Sequence, residues 1–399
     1  MTAPLRIALL LNPFTPVSTG GDHASELARE LSLLGHTVRV FGPTQARTVK
    51  PGAPRGAAAE TNGSPEAPLE PLVPRRFAPD AIVAYDALSP AAMLGARTAR
   101  ALSIPLLLVE AGARHARGRI SRLYHGATEM LWGRYVRHTA SALIALDPIA
   151  RKRALVGGFP EERVITLPPG VDPDEYRPGV VSSLLQRHRV RGRILLYVGR
   201  LEANRGLDVL VRAFGRTVGQ RDDWSLVLVG EGSARADLRA SVDCQGIGER
   251  VHWLGQVRSE ELPGLISSCT LLAVPALDDA VRGRNVARAM ACGRPVIVSD
   301  RPNLRALVEH EVSGLVVPAG DVEAWTEALQ RASMSPDARR RWGRRAQELA
   351  AKRLSWTVVA RAFESMILRA RGDADAELAL EGMLAPAPIS CPSPGATRP

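Results

Sequence analysis

The chain has 399 residues, 45% of them hydrophobic and 23% charged, with a formal net charge of +11 carried almost wholly by arginine. That length supports two domains of ordinary size, each with its own core, and the balance of apolar to charged residues excludes a disordered or fibrous chain. The four cysteines (Cys244, Cys269, Cys292, Cys391) show neither a paired nor a metal-type spacing, which excludes a disulfide framework and a zinc cluster and reads as reduced thiols in a cytoplasmic protein.

In chain order, the first apolar run, Ile7–Leu11, is too short for a membrane span or a signal segment and reads as a buried strand. Further strands are expected at Val38–Phe41, Ala81–Ala84, Leu106–Val109, Ala142–Leu146 and Val164–Leu167. A second set follows at Ile194–Val198, Ser225–Val229, Val251–Leu254, Leu271–Pro275, Val296–Val298 and Leu315–Val317. Helical patterns separate these runs, the signature of parallel α/β sheets, so two Rossmann-like domains of six strands each are expected. The first spans residues 1–175 and the second 190–353. Pro173, Pro178 and the basic run Arg187, Arg189, Arg191 and Arg193 mark the break between them.

Between the first two strands stand Gly20 and Gly21, followed by Ala24, Leu27, Ala28, Leu31 and Leu34 at helical spacing, with Gly35 as the stop. Glycines at a helix N-terminus permit close backbone approach and aim free N–H groups at an anion. Lys50–Pro79, with seven prolines, reads as a flexible loop, and residues 372–399 as a disordered tail. Arg114, Arg117, Arg119, Arg122, Arg134 and Arg137, interleaved with Ile120, Leu123, Tyr124, Met130, Leu131 and Trp132, suggest a basic amphipathic surface suited to anionic lipid.

Several motifs then fall into one order. Gly20-Gly21 with its helix is similar to G-G-x-x-x-x-V-x-x-L-A-x-x-L-x-x-x-G-H-x-V-x-V, and Val198–Phe214 (V-G-R-L-E-A-N-R-G-L-D-V-L-V-R-A-F) to V-G-R-L-x-x-x-K-G-x-x-x-L-x-x-A-F. Leu226–Ser233, Val251–Val257 and Glu261–Thr270 follow with V-G-E-G, V-H-W-L-G-Q-V and E-L-P-G-L. Ala289-Met-Ala-Cys-Gly293 and Pro295-Val-Ile-Val-Ser-Asp300 complete the run. The set resembles glycosyltransferase family four over about residues 4–370. The resemblance implies a GT-B fold whose closing helix, 354–370, packs back on the first domain. It also implies metal-free, retaining transfer of a sugar from a nucleotide diphosphate donor, with no cofactor, to a glycan, lipid-linked or small-molecule acceptor. Peripheral contact with the inner face of the membrane is compatible with it, and no nucleic-acid partner is expected.

By the same resemblance, Arg200 and Arg205 hold the diphosphate, where negative charge builds as the nucleotide leaves. Gly20 and Gly21 close on it from the other lobe, and Glu231 lies in the donor loop. The family places two glutamates around F-G-x-V-L-L, and here the chain departs from it, with Ala280 and Arg288 at those positions. Asp278 or Asp279 is the substitute for the first carboxylate. Arg288, a donor only, either grips a phosphate or a sugar carboxylate, or pairs internally with Asp278, Asp279 or Glu309. The histidine expected after the fourth strand is Ala111, leaving Glu110 and His115 as candidates there. These departures keep a second reading open, in which a descendant of the family binds a nucleotide, sugar or protein without turnover.

Overall fold

The computed structural model describes residues 3–11, 20–42, 46–48, 77–110, 128–217 and 223–373. Two parallel sheets organise them. The first holds β1 (Arg6–Leu10), β2 (Thr37–Phe41), β3 (Ala46–Thr48), β4 (Ala81–Tyr85), β5 (Leu106–Glu110), β6 (Ala142–Ala145) and β7 (Val164–Thr166), in the order β3-β2-β1-β4-β5-β6-β7. The second holds β8 (Arg193–Val198), β9 (Trp224–Val229), β10 (Val251–Gly255), β11 (Leu271–Val274), β12 (Val296–Ser299) and β13 (Gly314–Val317), in the order β10-β9-β8-β11-β12-β13.

All twelve expected strands are present. Parallel strands with helices on both faces are buried throughout, so they read as unbroken apolar runs such as A-I-V-A-Y and L-L-L-V-E. The first sheet departs from the expected six strands: β3 pairs antiparallel with β2 at its edge. A three-residue edge strand has no apolar run to announce it. Most of the proline-rich segment 50–79 lies outside the described residues, and so does the tail beyond residue 373. Phe77, at the segment's end, is among the described residues and joins the core of the first lobe. Its ring is buried 6.1 Å from that of Phe41, with the Arg39 guanidinium 4.8 Å from its centroid.

Each lobe has an apolar layer on both faces of its sheet. The last helix, Trp356–Ala370, opens on Ser355, whose hydroxyl accepts the Val358 N–H (3.3 Å). Its buried face (Val359, Phe363, Met366, Ile367) joins the same cluster as Ile7, Leu9, Leu27 and Leu31 of the first lobe.

The two places where the chain passes between lobes lie side by side. Val171 and Ser355 form an isolated parallel bridge, and Gly170 sits so close under the Trp356 indole that a Cβ there would run into the ring. Arg29 of the first helix, Gly20–Leu33, ties this crossing down through Asp172 (2.7 Å) and Glu30 (2.8 Å), and Thr357 donates to Glu30 (3.2 Å). The polar knot is half-buried to buried, where an ion pair is screened less than at the surface.

Candidate active site

In an open α/β sheet, ligands bind beyond the carboxyl ends of the strands, where neighbouring connections run off in opposite directions. In the second sheet that point lies between β8 and β11. The loops leaving these strands, Gly199–Arg205 and Pro275–Gly283, meet there. Gly206, left-handed at φ 66°, packs against the Pro275 carbonyl so closely that any side chain would collide with it. The Leu277 N–H donates to the Asn204 carbonyl (3.1 Å), and the Asn204 side-chain amide donates to Asp278 (2.6 Å). From the helix Arg284–Ala291, Asn285 donates to the Val198 carbonyl at the end of β8 (3.0 Å), pinning that helix to the crevice.

These contacts bring together residues more than seventy positions apart. Arg205, with a side chain only 11% exposed, lies 3.9 Å from Asp278. The expected diphosphate cation and the expected sugar-orienting carboxylate are therefore neighbours. Arg200 is exposed and pairs with Glu202 (2.6 Å), while the Tyr197 hydroxyl donates to the Arg200 carbonyl (2.9 Å). Burial raises the pKa of that Tyr197 hydroxyl, so it remains a donor. Glu231 pairs with Arg235 (2.5 Å), and its carbonyl accepts the Leu201 N–H (2.9 Å), which places it beside the Arg200 loop.

Asp279 is exposed; its carbonyl accepts from Asn303 (3.1 Å). Arg288 is half-buried, donates to Asn285 (3.2 Å) and lies over the Tyr176 ring with its guanidinium carbon 4.8 Å from the centroid. Two of the carboxylates considered for it are engaged elsewhere, Asp278 with Arg205 and Glu309 with Arg353 (3.5 Å).

In the first sheet the corresponding point lies between β1 and β4. Gly20 and Gly21 open the helix that follows β1, and Asp86, left-handed at φ 61°, follows β4. Glu110 ends β5, where it is half-buried and its carbonyl accepts the Leu146 N–H (3.1 Å). Ala111 and His115 lie outside the described residues.

Sequence reasoning passed over His23. Only 6% exposed, it lies with Nδ1 2.8 Å from the Tyr85 hydroxyl, and its ring meets that of Trp356 edge-on at 5.0 Å. Burial, and secondarily the charge of Arg284 on the other lobe, drop its pKa from the usual 6.5 to about 3, so the imidazole is neutral at pH 7. Burial also raises the pKa of Tyr85 well above the phenol range, with the neighbouring Asp86 adding to the effect. The signal was available, since His23 precedes Leu27 by four positions and shares its inward face. No comparable signal marks Asn204, Asn285 or Tyr176.

Two Rossmann-like sheets, a shared crossing and a crevice at the switch point of each sheet define the GT-B class of glycosyltransferase architecture. Residues 186–349 match glycosyl transferases group 1 and residues 18–170 match the glycosyl transferase 4-like domain, so the two matches cover both lobes. The chain belongs to this glycosyltransferase family.

It is 26% identical over 265 residues to alpha-D-kanosaminyltransferase of Streptomyces kanamyceticus (64% of this chain, 68% of that one). To the D-inositol 3-phosphate glycosyltransferase of Saccharomonospora viridis it is 32% identical over 207 residues; that match spans 49% of this chain and about half (47%) of the relative's length. Among solved structures, Anabaena HepE in complex with UDP superposes with a TM-score of 0.66 at 19% identity, over 92% of this chain and all (100%) of that one. A Rickettsia africae glycosyltransferase superposes at 0.71 with 14% identity, over 93% and 100% respectively. At such identities the structural likeness speaks for the fold alone.

Proposed function

We propose that the chain transfers a hexose, with retention, from a nucleotide diphosphate donor to a glycan, lipid-linked or small-molecule acceptor. The observation that carries this reading is the meeting of Arg200, Arg205 and Asp278 at the β8/β11 switch point. Arg205 supplies a nearly buried cation, and Arg200 an exposed one that exchanges its contact with Glu202 for a phosphate. Guanidinium forks suit phosphate oxygens and stabilise the charge that develops as the nucleotide departs. The N-terminal amides of the helix opened by Gly20 and Gly21 add donors from the opposite lobe.

Asp278, already fixed by Asn204 and Arg205, orients a sugar hydroxyl. In a retaining transfer on one face of the sugar, the bond from the anomeric carbon to the phosphate oxygen breaks as the bond to the acceptor oxygen forms. The acceptor proton passes to the leaving phosphate oxygen, so the scheme calls for no side-chain base and no metal. Met130 and Leu131, 83% and 69% exposed beside Arg134, support peripheral contact with anionic lipid.

A melting-temperature screen against nucleotide diphosphates tests the reading, with UDP, the ligand named for Anabaena HepE, as the first probe. A ligand bound only by the folded state raises the melting temperature by mass action. The expected result is a shift with one nucleotide family that Arg200→Ala removes while the unliganded melting temperature stays put. Undiminished binding by that variant would sink the diphosphate assignment. No shift with any nucleotide would favour the non-catalytic reading, which Arg288 and Ala111, standing where the resemblance leads one to expect a glutamate and a histidine, already motivate.

A further inference from the structure

We infer that Asn303 is a positioning residue of the sugar-side loop: its amide grips the loop after β11 from the flank opposite Asn204, and the choice among donor sugars depends on that grip. The inference rests on the glycosyl-transfer reading and concerns the loop that carries Asp278 and Asp279.

The first argument is the loop itself. Pro275–Gly283 is irregular, so its backbone groups have no ladder partners and must find others. Asn303 supplies them from 24 and 22 positions away, donating through Nδ2 to the carbonyls of Asp279 (3.1 Å) and Val281 (3.4 Å). On the incoming flank Asn204 donates to Asp278 (2.6 Å), and the other Asp278 oxygen accepts the Ala280 N–H (3.1 Å). The loop is thus held on both sides of Ala280, and the carboxylates considered for the sugar stand at these clamps. Past Val281 the chain leaves through Gly283, left-handed at φ 73° and pressed against Leu307, on the same side as Asn303.

Burial is the second argument. Asn303 is only 3% exposed. Burying an amide costs free energy unless hydrogen bonds compensate, and here the compensation is one-sided, since Oδ1 has no partner among the described residues. A leucine, close to asparagine in shape, would avoid the cost of that orphan acceptor but would give nothing to the two loop carbonyls. The asparagine is therefore accounted for by its donors, not by its packing.

The third argument is the seat from which Asn303 acts. β12 leads directly into the helix Pro302–Arg305, which opens on proline and buries Leu304 completely in the core of the second lobe. Arg305 pairs back with Asp300, just past the end of β12. The same helix lies against Pro148–Val156 of the first lobe, whose start is capped by Asp147 accepting the Ala150 N–H (2.7 Å). A clamp seated against both lobes fixes the sugar-side loop relative to the whole cleft and not only to its own sheet.

The test is equilibrium binding by calorimetry on the full chain, with UDP, UDP-glucose, UDP-galactose and UDP-N-acetylglucosamine as probes. The wild type is expected to separate its best sugar nucleotide from its worst by at least about tenfold, the order of one hydrogen bond to a charged group. Asn303→Ala is expected to narrow that spread to within about threefold, while affinity for UDP itself changes by less than about threefold. A residue that served stability alone would weaken all four probes together. If Asn303→Ala fails to fold, Asn303→Leu, which keeps the shape and removes both donors, is read by the same measure. A spread that survives in the variant, a parallel weakening of all probes, or a wild type indifferent to the sugar overturns the inference while leaving glycosyl transfer standing. If UDP itself fails to bind, GDP, ADP and dTDP with their sugars replace it, and failure of all four removes the glycosyl-transfer reading and this inference together.

Discussion

The two walls of the cleft follow opposite electrostatic rules. On the second lobe, Arg200, Arg205, Arg282, Arg284 and Arg288 stand among Glu202, Glu231 and Asp278, several already in pairs. On the first lobe, the buried centre of the described wall is the neutral trio of His23, Tyr85 and Trp356, held ring to ring, with Asp86 and Glu110 at the neighbouring strand ends. The contrast suggests a division of labour. Under the proposed function, the charged wall takes the phosphates of the donor, and a neutral, buried trio opposite it excludes water beside those charges, which strengthens each of them.

The largest effect should come from breaking the neutral wall. Trp356→Ala removes a buried indole that touches both His23 and Gly170 and is expected to cost about 3–5 kcal/mol. Chemical denaturation would show it, and a cost below about 1 kcal/mol would mean the crossing is not packed as described.

Next comes the charged wall. Arg205→Ala leaves Asp278 half-buried without its cation, and nucleotide diphosphate affinity should fall by about 2–5 kcal/mol in a titration. A change within error would return Arg205 to a structural role.

The pH profile sharpens the comparison further. The folded-state pKa of His23 lies at about 3, below the usual 6.5, so the unfolded chain binds this proton first as the pH falls. The stability this neutral imidazole supports is complete above pH 6.5 and drains away between about 6.5 and 3, by up to about 1.4 kcal/mol per pH unit. Glu30 works the other way, because burial raises its pKa and protonation there favours the folded state. His23→Gln should therefore flatten the acid side of the wild-type stability curve; identical curves would contradict the buried, neutral assignment.

The smallest effect belongs to Tyr176→Leu, which removes the ring under Arg288 and is expected to cost about 0.5–2 kcal/mol by denaturation. The same change paired with Arg288→Gln should be less than additive, and strict additivity would show that the stack is energetically idle.

How much of this was legible in the sequence follows from where the information lies. Parallel strands buried on both faces betray themselves as apolar runs, and the S-W start of the closing helix carries its own cap, so the layered fold could be read directly. The edge strand Ala46–Thr48 and the buried Phe77 could not, because neither sits in a periodic pattern. At the site, the arginines were visible as motif residues, but their partners were not. Arg205 and Asp278 are joined by loop docking through Gly206 and Asn204, and Arg288 lies on a tyrosine from the linker between lobes; local spacing encodes neither contact. His23 had a pattern that could have exposed it, and its helix face was read only for apolar residues.

The central claim is that the β8/β11 crevice seats a nucleotide diphosphate. A crystal structure of the full chain soaked with UDP, or with whichever nucleotide raises the melting temperature, tests it most directly. The account predicts phosphate oxygens within hydrogen-bonding distance of the Arg200 and Arg205 guanidinium groups, with Arg200 swung away from Glu202. A nucleotide bound elsewhere, with the pairs Arg200–Glu202 and Arg205–Asp278 undisturbed, would contradict it.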